Sequence, residues 1–103
     1  MIVKRYKVFL TEKARDNLLE LRRYVVEALK EENTASEYLH AISKAVMSLD
    51  EMPMRYKIIE DEPFNSMKLR RMIVKNFYVY YSVDKRNNTV FVRAVIYSRT
   101  KTL

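Results

Sequence analysis

The sequence of 103 residues contains no glycine, no cysteine and no tryptophan, and it has a single histidine, His40. Without cysteine the chain forms no disulfide bond and has no thiol nucleophile, and one histidine is too few for an ordinary zinc site. Without glycine it cannot contain the glycine-rich loops that hold phosphates in Walker-type or dinucleotide-binding sites. We therefore expect no cofactor and no metal, although carboxylate-bound magnesium is not excluded by this count.

Long hydrophobic segments are also missing. No run of about 18 apolar residues occurs, and residues 1–6 lack the continuous apolar stretch of a secretory signal. The sequence therefore predicts a cytoplasmic protein without a membrane anchor. Its length predicts one domain over residues 1–103, and its hydrophobic content of 49% is sufficient for a real core.

Positive charge is concentrated in the second half of the chain. Residues 1–52 contain nine Lys/Arg and nine Asp/Glu, whereas residues 53–103 contain eleven and four, so this half carries the whole net charge of +7. Tyrosines and phenylalanines alternate with these cations in segments that resemble β-strands. A basic and aromatic sheet suits a polyanion, because Lys/Arg neutralise phosphates and aromatic rings stack on bases. RNA is the first candidate partner and an acidic protein is the second.

The first half of the chain has the periodicity of one strand and two helices. Residues 3–10 alternate as a strand, and Thr11 is expected to cap a helix over about residues 12–32. Thr34 and Glu37 form a capping-box pattern that predicts a second helix over about residues 35–50. The short connection between them favours antiparallel packing as a hairpin. Pro53 ends the helical pattern, and residues 53–66 read as a loop.

Three strands are predicted after this loop, over about residues 68–74, 77–83 and 89–98. The predicted order is β-α-α-β-β-β, which indicates an α+β fold with a helical hairpin on one face of an antiparallel sheet. Lys75-Asn76 is the expected two-residue hairpin turn. Because the chain has no glycine, turn positions that need a positive φ are expected to use Asn76 and the Asn87-Asn88 pair.

Alternation along the strands predicts two different sheet faces. A turn at Lys75-Asn76 pairs Val74 with Phe77 and Arg71 with Tyr80. The face expected under the helices is then wholly apolar and includes Met72, Val74, Phe77, Val79, Tyr81, Val83, Val90, Val92, Ala94 and Ile96. The opposite face is expected to be open and to gather Arg71, Tyr80, Arg93, Tyr97 and Arg99. Arg70 falls on the buried side, although a register slip of one residue would exchange it with Arg71.

With these residues the chain resembles the RelE/ParE superfamily of type II toxin–antitoxin toxins. The resemblance covers nearly the full length and depends on the order and spacing of several segments: Leu10-Thr11-Glu12-Lys13-Ala14, Ser48-Leu49-Asp50-Glu51-Met52-Pro53, Leu69-Arg70-Arg71, Val74-Lys75-Asn76-Phe77-Tyr78-Val79-Tyr80-Tyr81-Ser82-Val83 and Val95-Ile96-Tyr97-Ser98-Arg99. It implies a toxin that is neutralised by a cognate antitoxin protein.

The superfamily contains two activities. RelE-like members are ribosome-dependent mRNA endonucleases, whereas ParE-like members share the fold and poison DNA gyrase. Our first expectation is a metal-independent endoribonuclease that acts on mRNA at the ribosome and inhibits translation. The alternative is a gyrase inhibitor that is not an enzyme, and a plain RNA-binding module is a third reading.

The resemblance also implies candidate site residues. An arginine in the first strand after the helices, an arginine late in the last strand and a nearby aromatic residue form the catalytic candidates, which are Arg70 or Arg71, Arg99 and Tyr97. The arginines would brace the scissile phosphate, and Tyr97 or Lys75 would transfer protons. Other basic and aromatic residues of these strands are predicted to bind RNA, namely Lys68, Lys75, Tyr80 and Arg93. His40 lies opposite the apolar stripe of its helix, so we expect it to be an exposed surface residue.

Overall fold

The computed structural model describes residues 4–28, 30 and 32–98. Within them the chain forms two helices and a four-stranded sheet, in the order β-α-α-β-β-β. The strands are β1 (Lys7–Leu10), β2 (Arg70–Val74), β3 (Phe77–Asp84) and β4 (Thr89–Tyr97), and the helices are α1 (Glu12–Arg23) and α2 (Glu32–Met47). No helix in the described ranges is long and apolar enough to span a bilayer.

Helix α1 begins where the sequence predicts. The Thr11 hydroxyl accepts a 3.2 Å hydrogen bond from the amide of Ala14, which is the expected N-cap contact. The helix continues as a π-helical turn over Tyr24–Ala28, and Lys30 is left-handed with φ 54°. A left-handed residue cannot continue a right-handed helix, so the first helical segment ends before residue 32, where we had placed its end.

Helix α2 begins earlier than the capping-box pattern predicts. Its first residue is Glu32, so Thr34 lies inside the helix and is not its cap. The predicted apolar stripe does face the core, because Ala35, Ile42, Val46 and Leu49 are all buried. A 3-10 turn over Ser48–Asp50 closes α2, and a second 3-10 turn over Pro53–Arg55 follows.

The sheet has the order β1-β4-β3-β2, and its last three strands are antiparallel. The hairpin turn at Lys75-Asn76 is confirmed, with Val74 opposite Phe77 and Arg71 opposite Tyr80. The predicted fold class is therefore confirmed, but β1 runs parallel to β4, so the sheet is mixed rather than purely antiparallel. No tight turn joins β1 to β4, since the helical pair connects β1 to the rest of the sheet, and a parallel pairing is then sterically allowed.

Positive φ angles fall on different residues from those expected. Asn88 has φ 50° as predicted, but at the β2–β3 turn the left-handed residue is Lys75, with φ 55°, and not Asn76. Met52 and Lys68 are also left-handed, with φ 49° and 54°. Lysine and methionine thus occupy backbone positions that favour glycine in a chain that has none.

The main core lies between the helices and one face of the sheet. This face carries the predicted apolar residues of β2 and β3, and Met72, Phe77, Val79 and Tyr81 are buried against Ile42, Val46 and Leu49. A smaller cluster lies on the opposite face, where Leu69, Tyr80 and Ala94 are buried under Ile59 and Phe64 of the loop before β2. The prediction that this second face is open is therefore wrong at its centre, because the loop folds back across it.

A β-bulge at Arg93 changes the face of every later residue in β4. Tyr81 is opposite Val92 and Tyr80 is opposite Ala94, so Arg93 has no partner in β3. Val90 and Val92 face the helices as predicted, but after the bulge Val95 does so and Ala94 and Ile96 pack on the second face. Simple alternation fails here because the extra residue shifts the side-chain parity by one.

Thr11, the N-cap of α1, and Asn17 within α1 hold this bulge in place. The Thr11 amide donates to the carbonyl of Val92 at 3.0 Å, and the Thr11 hydroxyl donates to the carbonyl of Arg93 at 3.2 Å. The Asn17 side-chain oxygen accepts the amide of Val95 at 3.0 Å. After β1 ends, the backbone groups of β4 on that side are therefore bonded by Thr11 and Asn17 and no longer by β1.

Candidate functional site

The two exposed arginines of the second sheet face each lie over an aromatic ring. The Arg71 guanidinium is 4.5 Å from the ring centroid of Tyr78, a residue of the neighbouring strand. The Arg93 guanidinium is 4.9 Å from the ring of Phe91, and its Nε donates to the Ser82 hydroxyl at 3.1 Å. Such contacts orient the guanidinium planes and leave their positive charge accessible.

Arg93 lies on this face as strict alternation predicts, since Val92 before it faces the helices, and its side chain is exposed. Phe91 also stacks on Phe9 of β1, with ring centroids 6.2 Å apart, and Phe9 is exposed. Lys68 and Lys75, two of the predicted RNA-binding residues, are exposed at the two ends of β2. The structure therefore places the predicted cations Lys68, Arg71, Lys75 and Arg93 on or beside the second face, accessible to a partner.

Tyr80 is not available on this face. Only 5% of its surface is exposed, and its ring stacks on Phe64 with centroids 5.4 Å apart and planes 4° from parallel. Its partner residue comes from the loop that covers the centre of the second face. The predicted contact of this tyrosine with RNA would require that loop to move, because the stacking surface is already used.

Arg70 is turned toward the main-core side of the sheet and bonds to backbone. Its Nη1 donates to the carbonyl oxygens of Tyr56 at 2.6 Å and of Met54 at 3.4 Å. Arg71, its neighbour in β2, has no such contact and is exposed. Of these two arginines, Arg71 is therefore the one on the second face, and the hydrogen bonds of Arg70 support a loop.

A buried tyrosine lies beside Arg70. The Tyr81 hydroxyl donates to the carbonyl of Pro53 at 2.6 Å, inside the protein. Burial raises the pKa of Tyr81 to about 12, against the opposing attraction of Arg70 and then of Arg55. At neutral pH this phenol is a fixed hydrogen-bond donor, so it holds the loop and does not transfer protons.

Tyr97 lies on the face opposite to the one predicted. It pairs with Phe77 across the β3–β4 ladder, and the two rings meet edge to face with centroids 5.6 Å apart. Arg71 pairs with Tyr80, which is on the other side of the sheet from Phe77. The expected grouping of Tyr97 with Arg71 is therefore wrong. Arg99, the second predicted catalytic arginine, lies outside the described residues.

A groove lies beside Tyr97 in the described residues, and the sequence does not predict it. It has a volume of about 540 Å³ and runs between α1, the π-helical turn, α2 and the ends of β3 and β4. Four aromatic residues lie in its walls, namely Tyr24, Tyr38, Phe77 and Tyr97. The groove depends on the Arg93 bulge, because the bulge shifts the side-chain alternation and so brings Tyr97 to this face. No local sequence signal marks the bulge.

Among residues 4–28, 30 and 32–98, no three Asp, Glu or His side chains cluster closely enough to bind an ion. His40 is exposed on α2, as the sequence predicts, and the acidic run Glu60-Asp61-Glu62 is exposed in the loop before β2.

Two solved structures are similar to this chain in fold. A structure described as a chromosomal ParDE toxin–antitoxin system from P. aeruginosa has a TM-score of 0.73 and 14% identity, and the match covers 91% of this chain and 97% of the other. The RelBE2 toxin–antitoxin complex from Mycobacterium tuberculosis gives a TM-score of 0.61 and 21% identity, with 94% of each chain covered. The helical pair and mixed sheet thus have the RelE/ParE-like architecture.

A family comparison makes the assignment more specific. The model of the ParE toxin of type II toxin–antitoxin systems matches residues 8–101. The chain therefore belongs to the ParE toxin family, within the RelE/ParE superfamily that the sequence resembles. Among curated protein sequences, none is similar enough to count as a relative.

Proposed function

We propose that this toxin inhibits DNA gyrase by binding it, and that it is not a nuclease. The family match to ParE toxins supports this choice, since the sequence resemblance associates the ParE-like branch with gyrase. The observation that carries the proposal is the bulge at Arg93, which places Tyr97 and Arg71 on opposite faces of the sheet. The order of our two initial hypotheses is therefore reversed.

Cleavage of RNA would need the catalytic arginine and the tyrosine that transfers protons to lie close together. Attack of a 2′-hydroxyl on the neighbouring phosphate requires a base, a proton donor and positive charge within about 3 Å of the reacting atoms. Arg70 already bonds to backbone carbonyls, and Tyr97 contacts Phe77 in the groove. Tyr97, the tyrosine predicted to transfer protons, therefore lies on the opposite face of the sheet from Arg71. Binding without cleavage is the activity that this arrangement supports best.

The mRNA endonuclease is retained as the second candidate, because one observation favours it. Arg71 and Arg93 are both exposed on the second face, and each is stacked on an aromatic ring, as in surfaces that bind single-stranded nucleic acid. In this reading the partners are the ribosome and its mRNA, and Lys68 and Lys75 add phosphate contacts at the ends of β2.

A cognate antitoxin is the second proposed partner. The two similar structures are described as a toxin–antitoxin system and a toxin–antitoxin complex. An acidic segment of the antitoxin would lie across the second sheet face and neutralise Arg71 and Arg93, which suits a chain with a net charge of +7. Co-expression with the adjacent open reading frame should restore growth to cells that produce the toxin.

The two activities can be separated with one purified preparation. Supercoiling by gyrase and primer extension on a message translated by purified ribosomes should be measured over the same range of toxin concentrations. We expect loss of supercoiling and no new cleavage sites. Specific cleavage of the message together with unimpaired gyrase would overturn the proposal and support the endonuclease.

Two variants make the test sharper. If neither residue takes part in a chemical step, Arg71→Ala and Tyr97→Phe should each inhibit gyrase at concentrations within a few-fold of wild type. In an endonuclease, loss of one transition-state donor lowers the rate by about 100-fold to 1000-fold. A His40→Ala variant is the matched control, because this side chain is exposed on α2, away from both sheet faces.

A further inference from the structure

The segment around the second 3-10 turn, residues 52–56, is held in an unusual conformation, and we refer to it as the clamped loop. Met52 has φ 49° and ψ 52°, in the left-handed region that is unfavourable for a bulky side chain. It also precedes Pro53, and a residue before proline is normally extended. The backbone therefore adopts this conformation because other parts of the molecule stabilise it.

Two side chains of the sheet and one side chain of the loop itself hold its backbone. Tyr81 donates to the carbonyl of Pro53, and Arg70 donates to those of Tyr56 and Met54. Arg55 reaches back to the end of α2, where its Nη1 donates to the carbonyls of Glu51 at 2.8 Å and Met52 at 3.2 Å. Its Nη2 donates to the Ser48 hydroxyl at 2.8 Å. Five successive residues thus have a fixed shape.

This fixed shape directs apolar side chains outward. Pro53 is buried, whereas Met52 is 68% exposed, Met54 37% and Tyr56 36%. None of the three is needed to fill the core. Strained backbone that the surrounding structure stabilises is concentrated at binding and switching sites, and exposed methionine and tyrosine are typical of protein interfaces.

The charges around the clamped loop indicate what it binds. Residues 52–59 contain Arg55 and Lys57 and no carboxylate. The two carboxylates just before the loop are already paired, because Arg5 contacts Asp50 at 2.9 Å and Glu51 at 2.8 Å. Before the exposed acidic run Glu60-Asp61-Glu62, the loop therefore presents an apolar surface bordered by Arg55 and Lys57, which complements an apolar surface bordered by carboxylates.

We propose that the clamped loop is the surface by which this toxin docks on its protein target, at an apolar patch of the target flanked by acidic side chains. Naming that target as gyrase rests on the proposed function; the docking role of the loop does not. A second copy of this chain is a poor occupant, because Arg55 and Lys57 would meet their own counterparts on a molecule of net charge +7. Pre-organisation favours tight docking, because little conformational entropy is lost on binding.

The main test separates folding from docking. Met52→Gly removes an exposed side chain and lets the left-handed position be occupied without strain, so the Tm should stay the same or rise. The same variant, and Met54→Ala, should need at least about tenfold more protein to inhibit gyrase. Leu19→Ala is the matched control, since Leu19 is an equally exposed apolar residue on α1. It should inhibit like wild type.

A charge reversal tests the proposed chemistry of the partner. Lys57→Glu should weaken inhibition more strongly than Lys44→Glu, which reverses an exposed lysine on α2. Affinity for the antitoxin, measured by titration calorimetry on the same variants, should be unchanged. A loss of antitoxin affinity with full inhibition of gyrase would assign the loop to the antitoxin and overturn the proposal, as would dimerisation that Met54→Ala abolishes.

Failure of the proposed function gives a different result. If wild-type toxin does not inhibit gyrase, growth arrest in cells becomes the readout for the same variants. Loss of toxicity in Met52→Gly and Met54→Ala at matched protein levels, with Leu19→Ala fully toxic, would then support the docking loop on another target. Full toxicity of all three variants would reject the docking loop.

Discussion

The Tyr81 hydroxyl and the Pro53 carbonyl oxygen, 28 residues apart in the chain, are joined by a buried hydrogen bond of 2.6 Å. Tyr81 is in the middle of β3, whereas Pro53 begins the 3-10 turn that follows α2. This bond attaches the clamped loop to the centre of the sheet. It therefore links the stability of the core to the shape of a surface that we propose is functional.

Removing this hydroxyl should destabilise the fold. Tyr81→Phe keeps the ring but leaves the Pro53 carbonyl buried without a donor, which costs about 1–3 kcal/mol. Urea denaturation followed by circular dichroism measures the change in the free energy of unfolding. Tyr78→Phe, on the second face, is the control and should change it by less than about 0.5 kcal/mol. Equal effects of the two substitutions would contradict this account.

The same residue should make the fold sensitive to alkaline pH. The pKa of Tyr81 is raised from 10.0 to about 12, so the folded state holds its proton more tightly than the unfolded state does. The stabilisation is complete below pH 10 and is lost as the pH rises toward 12. The unfolding free energy of wild type should therefore fall more steeply over this interval than that of Tyr81→Phe. If the unfolding free energies of the two proteins fell equally with pH, the proton of Tyr81 would contribute nothing to stability.

Arg70 and Arg71 are neighbours that should behave differently. Arg70→Ala removes hydrogen bonds from a charged donor to the carbonyls of Tyr56 and Met54 and should cost about 1.5 kcal/mol of unfolding free energy. Arg71 is exposed, so Arg71→Ala should stay within about 0.5 kcal/mol of wild type. Thermal and urea unfolding of the two variants provide the measurement. A larger loss in Arg71→Ala would reverse the structural assignment.

Asn17 should control the local stability of the bulge. Asn17→Ala removes the acceptor of the Val95 amide, and the exchange of this amide with solvent deuterium should speed up by about tenfold. Asn17→Asp keeps an acceptor oxygen and is the matched control. Heteronuclear NMR follows each amide separately, so Val79 in β3 reports whether the whole sheet has loosened. Unchanged exchange at Val95 would show that Asn17 does not hold the bulge.

Antitoxin binding should depend on salt through the second face. Arg71→Ala and Arg93→Ala should each weaken the complex at low ionic strength and reduce its dependence on salt, because exposed charge pairs are screened over about 10 Å at 0.1 M. Lys44→Ala on α2 is the control for the loss of one positive charge. Biolayer interferometry over a series of salt concentrations would measure both effects. If the affinity of every variant depended equally on salt concentration, the antitoxin would bind somewhere other than the second face.

Much of the fold could be read from local signals. Thr11 caps α1, and the turn at Lys75-Asn76 sets the register in which Arg71 faces Tyr80. These features depend on neighbouring residues and on the two-residue period of a strand, so the sequence is sufficient to predict them. The same pattern showed that β2 and β3 bury one face against the helices. The sequence did not predict the spatial order β1-β4-β3-β2 or the parallel pairing of β1 with β4.

The candidate site was harder to predict because it depends on contacts between distant parts of the chain. Strict alternation in β4 placed Tyr97 beside Arg71, and the bulge at Arg93 reverses this. That bulge is held by Thr11 and Asn17, which lie 82 and 78 residues earlier than their partners Arg93 and Val95. A pattern within a few neighbouring residues contains no information about a contact over such a distance in the sequence.

The same distinction applies to the arginines and tyrosines of the second half. Composition by itself determined that positive charge and aromatic rings are concentrated there, and the segment order determined the superfamily. Tertiary structure alone decided which of them are accessible: Arg71 is, whereas Arg70 is bonded to the clamped loop and Tyr80 is covered by Phe64. The physical reason is that the role of a side chain depends on which other residues pack against it, and here the segment between α2 and β2 provides those neighbours.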